Sequence, residues 1–168
     1  MSKKIFFNFL FLILISNASL SDENKVYFLD INFIINNSNI GKKLLNELNQ
    51  KNKDLNLTHS NKEKELENKK NEILSQQNIL EKKDFEIKVT NHQKNVDKYL
   101  KQKNTDFEEL RKIRMDKTNE ILGLINEILL NYSKQQNIDM IFNKESLIIS
   151  NEKFDITNQI IDILNKKN

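Results

Sequence analysis

The segment "NIDMIFNKESLIIS" (Asn137–Ser150) decides the fold, because it places two short β-like runs after a long stretch dominated by Lys, Glu, Asn and Leu. The runs 138–142 and 147–149 flank a polar connector, which predicts a β-hairpin over residues 138–149. An isolated hairpin is marginal in water and needs a third strand. The candidate is the β-branched and aromatic run near the start of the chain, which we predict as a strand over residues 25–31. The two ends of the chain should therefore meet.

The middle of the chain, residues 41–132, is predicted to form a projecting arm of two antiparallel helices. The sequence contains no proline and only two glycines, Gly41 and Gly123, so almost nothing interrupts helical structure. Apolar residues recur at helical and seven-residue spacing, but polar residues interrupt the pattern, which predicts loose packing between the helices. We place the reversal near residues 81–85. Each helix of about forty residues would extend roughly 60 Å at about 1.5 Å per residue.

The two ends of the chain, residues 19–40 and 133–168, are predicted to form one discontinuous body. Polar side chains between Asn36 and Asn39 offer a cap for the first arm helix. A short helix over residues 155–165, capped by Asp155, closes the chain, and its apolar residues lie along one side: Ile156, Ile160, Ile161 and Leu164. The fold class is therefore mostly α with a small β body, from which a long antiparallel helical hairpin projects.

Residues 1–18 have the pattern of a secretory signal peptide. Lys3 and Lys4 precede an apolar run, and small residues follow at 16–18. The apolar run of about eleven residues is well short of the roughly twenty that span a bilayer, which disfavours an uncleaved membrane anchor. We expect cleavage after Ala18, with the bond after Ser21 as an alternative.

The composition excludes several function classes. Removal of Lys3 and Lys4 takes two positive charges from the formal net charge of +3 and leaves +1, which is too weak for a nucleic-acid surface. The sequence has no cysteine, so neither a disulfide nor a lipid-modified cysteine can form. With 38% hydrophobic and 30% charged residues, the chain has little material for a compact core. It must be extended, or partners must supply the burial.

No residue pattern points to catalysis, a metal or a cofactor. His59 and His92 stand alone in polar helix without a spacing that suits zinc, and we interpret both as solvated. The acidic residues around Glu63 alternate with lysines, as on an ordinary charged helix face, and no nucleophile accompanies them. We therefore predict a protein that is not an enzyme.

Five apolar or aromatic side chains of the arm have two open interpretations. They either pack the two arm helices together or contact a partner near the tip and along the inner face of the arm. These residues are Phe85, Ile87, Val89, Tyr99 and Phe107.

Three segments of the sequence resemble the Skp/OmpH family of periplasmic chaperones: "KVYFLDINFIINNSNIGKKLLNEL" (25–48), "IDMIFNKESLIIS" (138–150) and "DITNQIIDIL" (155–164), with the Lys/Glu-rich helix pair between them. The resemblance implies a homotrimer whose strands form a small β-barrel body with three projecting helical arms. Members hold unfolded outer-membrane β-barrel proteins in the cavity between the arms without ATP. The resemblance therefore implies a periplasmic holdase that needs no cofactor and has at most peripheral membrane contact.

The implied trimer body would bury apolar side chains that one chain is too small to cover. These residues are Val26, Phe28, Ile138, Met140, Phe142, Leu147 and Ile149. The alternative function is a structural coiled-coil envelope protein without chaperone activity.

Overall fold

The computed structural model describes residues 24–167. Within that range the elements follow in the order β1 (Val26–Leu29), α1 (Ile31–Asn37), α2 (Asn39–Ser75), α3 (Lys82–Gln136), β2 (Met140–Asn143) and α4 (Thr157–Lys167), with 3-10 turns at Lys144–Ser146 and Glu152–Phe154. A mostly helical protein with a small two-stranded sheet confirms the coarse fold class predicted from the sequence. The predicted signal peptide at residues 1–18 lies outside the described residues.

The two strands join the distant ends of the described chain. β1 and β2 are parallel, with Val26 opposite Met140 and Phe28 opposite Phe142. Because parallel strands need a long crossover connection, the whole arm serves as the connection between β1 and β2. On the other side of β1, the backbone carbonyl of Phe28 accepts a hydrogen bond of 2.9 Å from the backbone N–H of Ile156. β1 therefore lies between β2 and the segment that leads into α4.

The β-hairpin predicted over residues 138–149 is wrong for this chain. Only Met140–Asn143 is a strand, and the polar connector closes into a 3-10 turn in which Leu147 N–H donates to the Lys144 carbonyl at 3.0 Å. The turn is held from outside, since Glu145 Oε1 accepts a hydrogen bond of 2.6 Å from Asn32 on α1. These contacts lead the chain away from β2, and Ile149 is left without a strand partner in this chain.

The strand predicted over residues 25–31 is shorter than expected, because Asp30 starts a helix. The Asp30 side chain accepts a hydrogen bond of 2.8 Å from the backbone N–H of Phe33 and thereby caps α1. Ser38 then separates α1 from α2, and its hydroxyl accepts from the Gly41 N–H at 3.2 Å. This confirms the prediction of a helix cap between Asn36 and Asn39.

The arm consists of α2 and α3, whose contacts show that the helices are antiparallel. Lys103 of α3 contacts Glu63 of α2 at 2.7 Å, and Lys88 contacts Gln76 near the end of α2 at 2.6 Å. The chain reverses over residues 76–81, several residues before the predicted position at 81–85. The reversal begins at Gln76, whose carbonyl accepts from the backbone N–H of Leu80 at 3.0 Å. No glycine or proline marks this turn, so its position had no clear sequence signal.

At the base of the arm, α3 ends where Asn137 adopts a left-handed conformation with φ of 51°. Asparagine tolerates this conformation better than most residues, because its short polar side chain can hydrogen-bond locally.

The hydrophobic core lies where the four helices and β1 converge. It contains the lower part of the arm and the inner side of α4, which agrees with the predicted apolar side of the last helix. The buried members are Leu29, Ile34, Leu44, Leu48, Ile121, Ile125, Ile128, Ile156, Ile160 and Leu164. Burial of these side chains holds the ends of the chain together and fixes the base of the arm.

Asp155 links the start of α4 to the sheet and to the 3-10 turn. Its carboxylate accepts hydrogen bonds from the Thr157 backbone N–H at 2.8 Å and from the Thr157 hydroxyl, and Lys144 Nζ lies 3.5 Å away. Thr157 Oγ1 in turn accepts from the backbone N–H of Asp30 at 2.9 Å. Partial burial opposes ionisation of Asp155, but the hydrogen bonds from Thr157 and the charge of Lys144 outweigh it and hold its pKa below the ordinary value of 3.8.

We expect Asp155→Asn to reduce the acid sensitivity of the fold. A lowered pKa in the folded state means that the ionised Asp155 stabilises the protein above pH 3.8 and that this stability is lost as pH falls through the lower folded value. The variant keeps an acceptor at this position, so the loss of stability at neutral pH should stay within about 1 kcal/mol. Urea midpoints at about pH 7 and about pH 3 measure the difference. If the wild type and the variant lose the same stability on acidification, the acid sensitivity does not come from Asp155.

Candidate functional site

The described residues offer exposed apolar surfaces that could contact a partner. Between residues 24 and 167 no cluster of His, Cys, Asp or Glu could hold a metal ion. No helix in the same range combines the length and the apolar character needed to cross a bilayer. The features that stand out are exposed apolar side chains at the far end of the arm and on the body.

The distal arm, defined here as residues 66–96, exposes apolar side chains on both helices and on the turn. Ile79 lies on the turn with an exposed fraction of 80%, and Leu74, Ile87 and Val89 are also exposed. Phe85 is partly buried. Two of the five predicted contact residues, Ile87 and Val89, are therefore available to a partner. Ile79 was not among the predicted contact residues, because the predicted reversal at residues 81–85 lies after it.

Two open clefts flank the seam between the arm helices in the middle and distal parts of the arm. A cleft of about 1070 Å³ opens on one side of the helix pair, and a second cleft of about 550 Å³ opens on the other. Leu66, His92 and Tyr99 line both clefts, so these side chains separate the two clefts. The open clefts agree with the interrupted apolar spacing of the sequence.

Tyr99 is buried between the arm helices, so the structure contradicts its role as an exposed contact residue. Its exposed fraction is 8%. The hydroxyl donates to Glu63 Oε1 at 2.9 Å and lies 3.2 Å from the backbone carbonyl of His59. Phe107 is partly buried, with its ring centroid 5.5 Å from that of His59. For Tyr99 the packing interpretation is therefore the better one.

The prediction that both histidines are solvated is wrong. His59 has an exposed fraction of 5%, and His92 is partly buried with an Nδ1 atom that lacks a hydrogen-bond partner. The sequence did contain a signal for His59, because it lies seven residues before Leu66 and continues the spacing of apolar residues in α2. Because histidine is polar, its position was interpreted as an interruption of the apolar spacing.

Electrostatic contacts surround this buried position. Hydrogen bonds from Lys103 and from Tyr99 hold the pKa of the Glu63 carboxyl below its ordinary value. Burial, together with the hydrogen bond to Glu63, raises the pKa of the Tyr99 hydroxyl, and the same carboxylate raises the pKa of Lys103. One carboxylate oxygen of Glu63 on α2 therefore accepts hydrogen bonds from two side chains of α3, the charged Lys103 and the neutral Tyr99.

The body also exposes apolar side chains. Of the predicted trimer residues, Phe28 is buried within the chain, Ile138 and Leu147 are partly buried, and the others are exposed: Val26, Met140, Phe142 and Ile149. Ile149 has an exposed fraction of 91%, and its neighbour Ile148, which was not among the predicted residues, is fully exposed. We call the exposed set together with Ile148 the body face. Val26 and Met140 are paired between the two strands, so the strand part of the body face forms an apolar patch, and such patches often mark interaction sites.

Comparison with known proteins identifies the family. A family model described as "Outer membrane protein (OmpH-like)" matches residues 25–164. The sequence has no match among curated proteins. Among solved structures, a protein from Caulobacter crescentus CB15 described as an OmpH-like outer membrane chaperone superimposes with a TM-score of 0.80 at 13% identity, over 86% of this chain and 85% of that chain. At this level of identity the likeness shows a shared fold.

The family match covers nearly all of the described residues, and the shared fold agrees with it. The resemblance to the Skp/OmpH family is thereby confirmed. Members of this family are chaperones and not enzymes, which also confirms the prediction that the protein is not an enzyme. The chain belongs to the OmpH-like family of outer membrane proteins.

Proposed function

We propose that this protein is an ATP-independent holdase chaperone of the periplasm. Three copies assemble through their body faces into a trimeric β-barrel body, and the three arms enclose a cavity. Unfolded outer-membrane β-barrel proteins bind in that cavity and are kept from aggregating. Residues 1–18 direct export and are removed.

The observation that carries the proposal is the combination of a long arm with exposed apolar side chains on its distal half. Leu74, Ile79 and Ile87 lie among charged residues, so each can contribute a small apolar contact without making the arm insoluble. Several weak contacts acting together can hold a non-native chain through multivalency.

The trimer is supported by the body face and by the sheet. β2 pairs on one side with β1, and within the described residues its other side has no strand partner. Such an edge, beside exposed residues such as Met140 and Ile149, can pair with another copy of the chain. Assembly would bury apolar surface that a single chain leaves in water.

The proposal is tested by light scattering on the mature protein. The mass is measured alone and after mixing with a urea-denatured outer-membrane barrel protein diluted into buffer. We expect three times the chain mass alone, and a discrete heavier complex with the soluble client. A monomer that lets the client precipitate would leave the structural coiled-coil protein as the better account.

Substitution of the distal apolar residues should weaken client binding without changing the assembly. In the triple variant Leu74→Ser, Ile79→Ser and Ile87→Ser we expect the Kd for the denatured client to rise about tenfold or more, since loss of about 1.4 kcal/mol corresponds to a factor of ten. The Tm and the oligomer mass should stay close to those of the wild type, because these side chains are already exposed.

The matched control carries Leu57→Ser and Met115→Ser, which remove exposed apolar side chains nearer the middle and base of the arm. Client suppression is measured for both variants by the light scattered from the diluted client at a fixed chaperone ratio. If the control and the distal variant lose the same activity, client contact is not concentrated at the distal arm.

A further inference from the structure

Halfway along the arm, a buried histidine faces an aspartate across the two helices. His59 lies twenty residues after Asn39, so it stands about 30 Å from the base of α2 at about 1.5 Å per residue. We infer that His59 and Asp106 form a pH-responsive latch, in which protonation of the His59 imidazole draws α2 and α3 together. The latch is a property of the arm itself, so its test does not depend on client binding.

The geometry places an imidazole nitrogen beside a carboxylate without a well-formed hydrogen bond. His59 Nε2 lies 3.3 Å from Asp106 Oδ2, yet this nitrogen has no hydrogen-bond partner of good alignment. The ring is enclosed by two aromatic rings of α3, Tyr99 at 5.7 Å and Phe107 at 5.5 Å between centroids. A buried polar atom in this position gains a strong interaction when it becomes a charged donor.

Several other charged groups close to His59 are already paired. From α2, Glu63 is bound by Lys103 at 2.7 Å, and Lys62 pairs with Glu65 at 2.7 Å. From α3, Lys103 is engaged with Glu63, the Tyr99 hydroxyl donates to Glu63, and Asp106 accepts a hydrogen bond from Gln102 at 2.7 Å. Among residues 24–167, His59 is the one basic side chain within ion-pair distance of Asp106.

Protonation of His59 would therefore place a positive charge beside the Asp106 carboxylate, which has no other cationic partner among residues 24–167. A charged imidazole could donate to Asp106 and would lie beside the rings of Tyr99 and Phe107. Histidine is the side chain whose ordinary charge change falls between about pH 5 and 8, so the latch would respond to mild acidification. His59 and Asp106 line the larger cleft at the end nearest the body, so the latch would act on the helix contact that borders this cleft.

The test compares thermal unfolding at about pH 5.5 and about pH 8. Wild-type protein, His59→Gln and Asp106→Asn are measured beside His92→Gln, which removes the second of the two histidines in the sequence. We expect acidification to raise the Tm of the wild type relative to His59→Gln by about 2–4 °C. Asp106→Asn should lose this response, and His92→Gln should keep it. The comparison uses the change with pH, so a constant packing defect in a variant does not affect it.

The latch is refuted if His59→Gln keeps the wild-type pH response, or if Asp106→Asn keeps it.

Discussion

Gly41→Ala is expected to destabilise the protein by about 3 kcal/mol or more, since overpacking of this kind costs about 1–3 kcal/mol and more where backbone must move. A Cβ atom at this position would overlap the backbone carbonyl oxygen of Ile35 and lie 2.7 Å from its carbonyl carbon. Backbone cannot rotate out of the way as a side chain can. The substitution would separate α1 from α2 at the point where Ser38 joins them.

The expected loss already includes an opposing effect. Alanine is favoured over glycine inside a helix by about 1 kcal/mol, so the steric cost must exceed that gain before any destabilisation is seen. The matched control is Gly123→Ala, because a Cβ atom there would meet no atom within 4 Å. The control should gain about 0.5–1 kcal/mol.

Urea unfolding followed by circular dichroism measures both glycine variants, at equal protein concentration because assembly contributes to the apparent stability. A decrease for Gly41→Ala beside an increase for Gly123→Ala is the predicted result. Similar increases in both variants would show that α1 does not approach α2 as closely as described.

Ile149→Asp is expected to convert the proposed trimer into a folded monomer. If the body faces pack together, the introduced carboxylate is buried at the interface of each copy, and an unpaired buried charge costs several kcal/mol. The scattered mass should fall to one third of the wild-type value. Helical content should remain, because Ile149 is 91% exposed in the single chain and contributes little to its fold.

The control for this variant is Ile79→Asp, which places the same charge on a similarly exposed isoleucine at the opposite end of the arm. We expect it to keep the trimer mass. A trimer that persists in Ile149→Asp would show that the copies associate through another surface. Client suppression measured on the folded monomer then tells whether holdase activity needs the cavity between the arms or the arm alone.

Several parts of the fold could be read from local sequence. The absence of proline and the scarcity of glycine predicted the long helices, and the polar residues before Gly41 predicted the cap that Ser38 provides. The apolar spacing in the last helix predicted the buried side that contains Ile160 and Leu164. Each of these features depends on residues within one or two helical turns, so a short stretch of sequence carries the information.

The candidate contact residues could be predicted only in part. Ile87 and Val89 are exposed, as contact with a partner requires, whereas Tyr99 turned inward to meet His59. The choice between these positions depends on the rotation of α3 against α2, and a shift of one residue turns the helix surface by about 100°. The interrupted apolar spacing of the arm left that rotation open.

The sequence by itself determined that two β-forming ends enclose a long helical arm, because helix propensity and strand pattern are local properties of the chain. The tertiary structure alone decided that β2 runs parallel to β1 and that the predicted hairpin does not form. That outcome depends on contacts such as the hydrogen bond of 2.8 Å from the Lys25 N–H to Asp139, which joins residues 114 positions apart. The tertiary structure also decided the burial of His59, since the partners that enclose this side chain lie on the opposite helix of the arm.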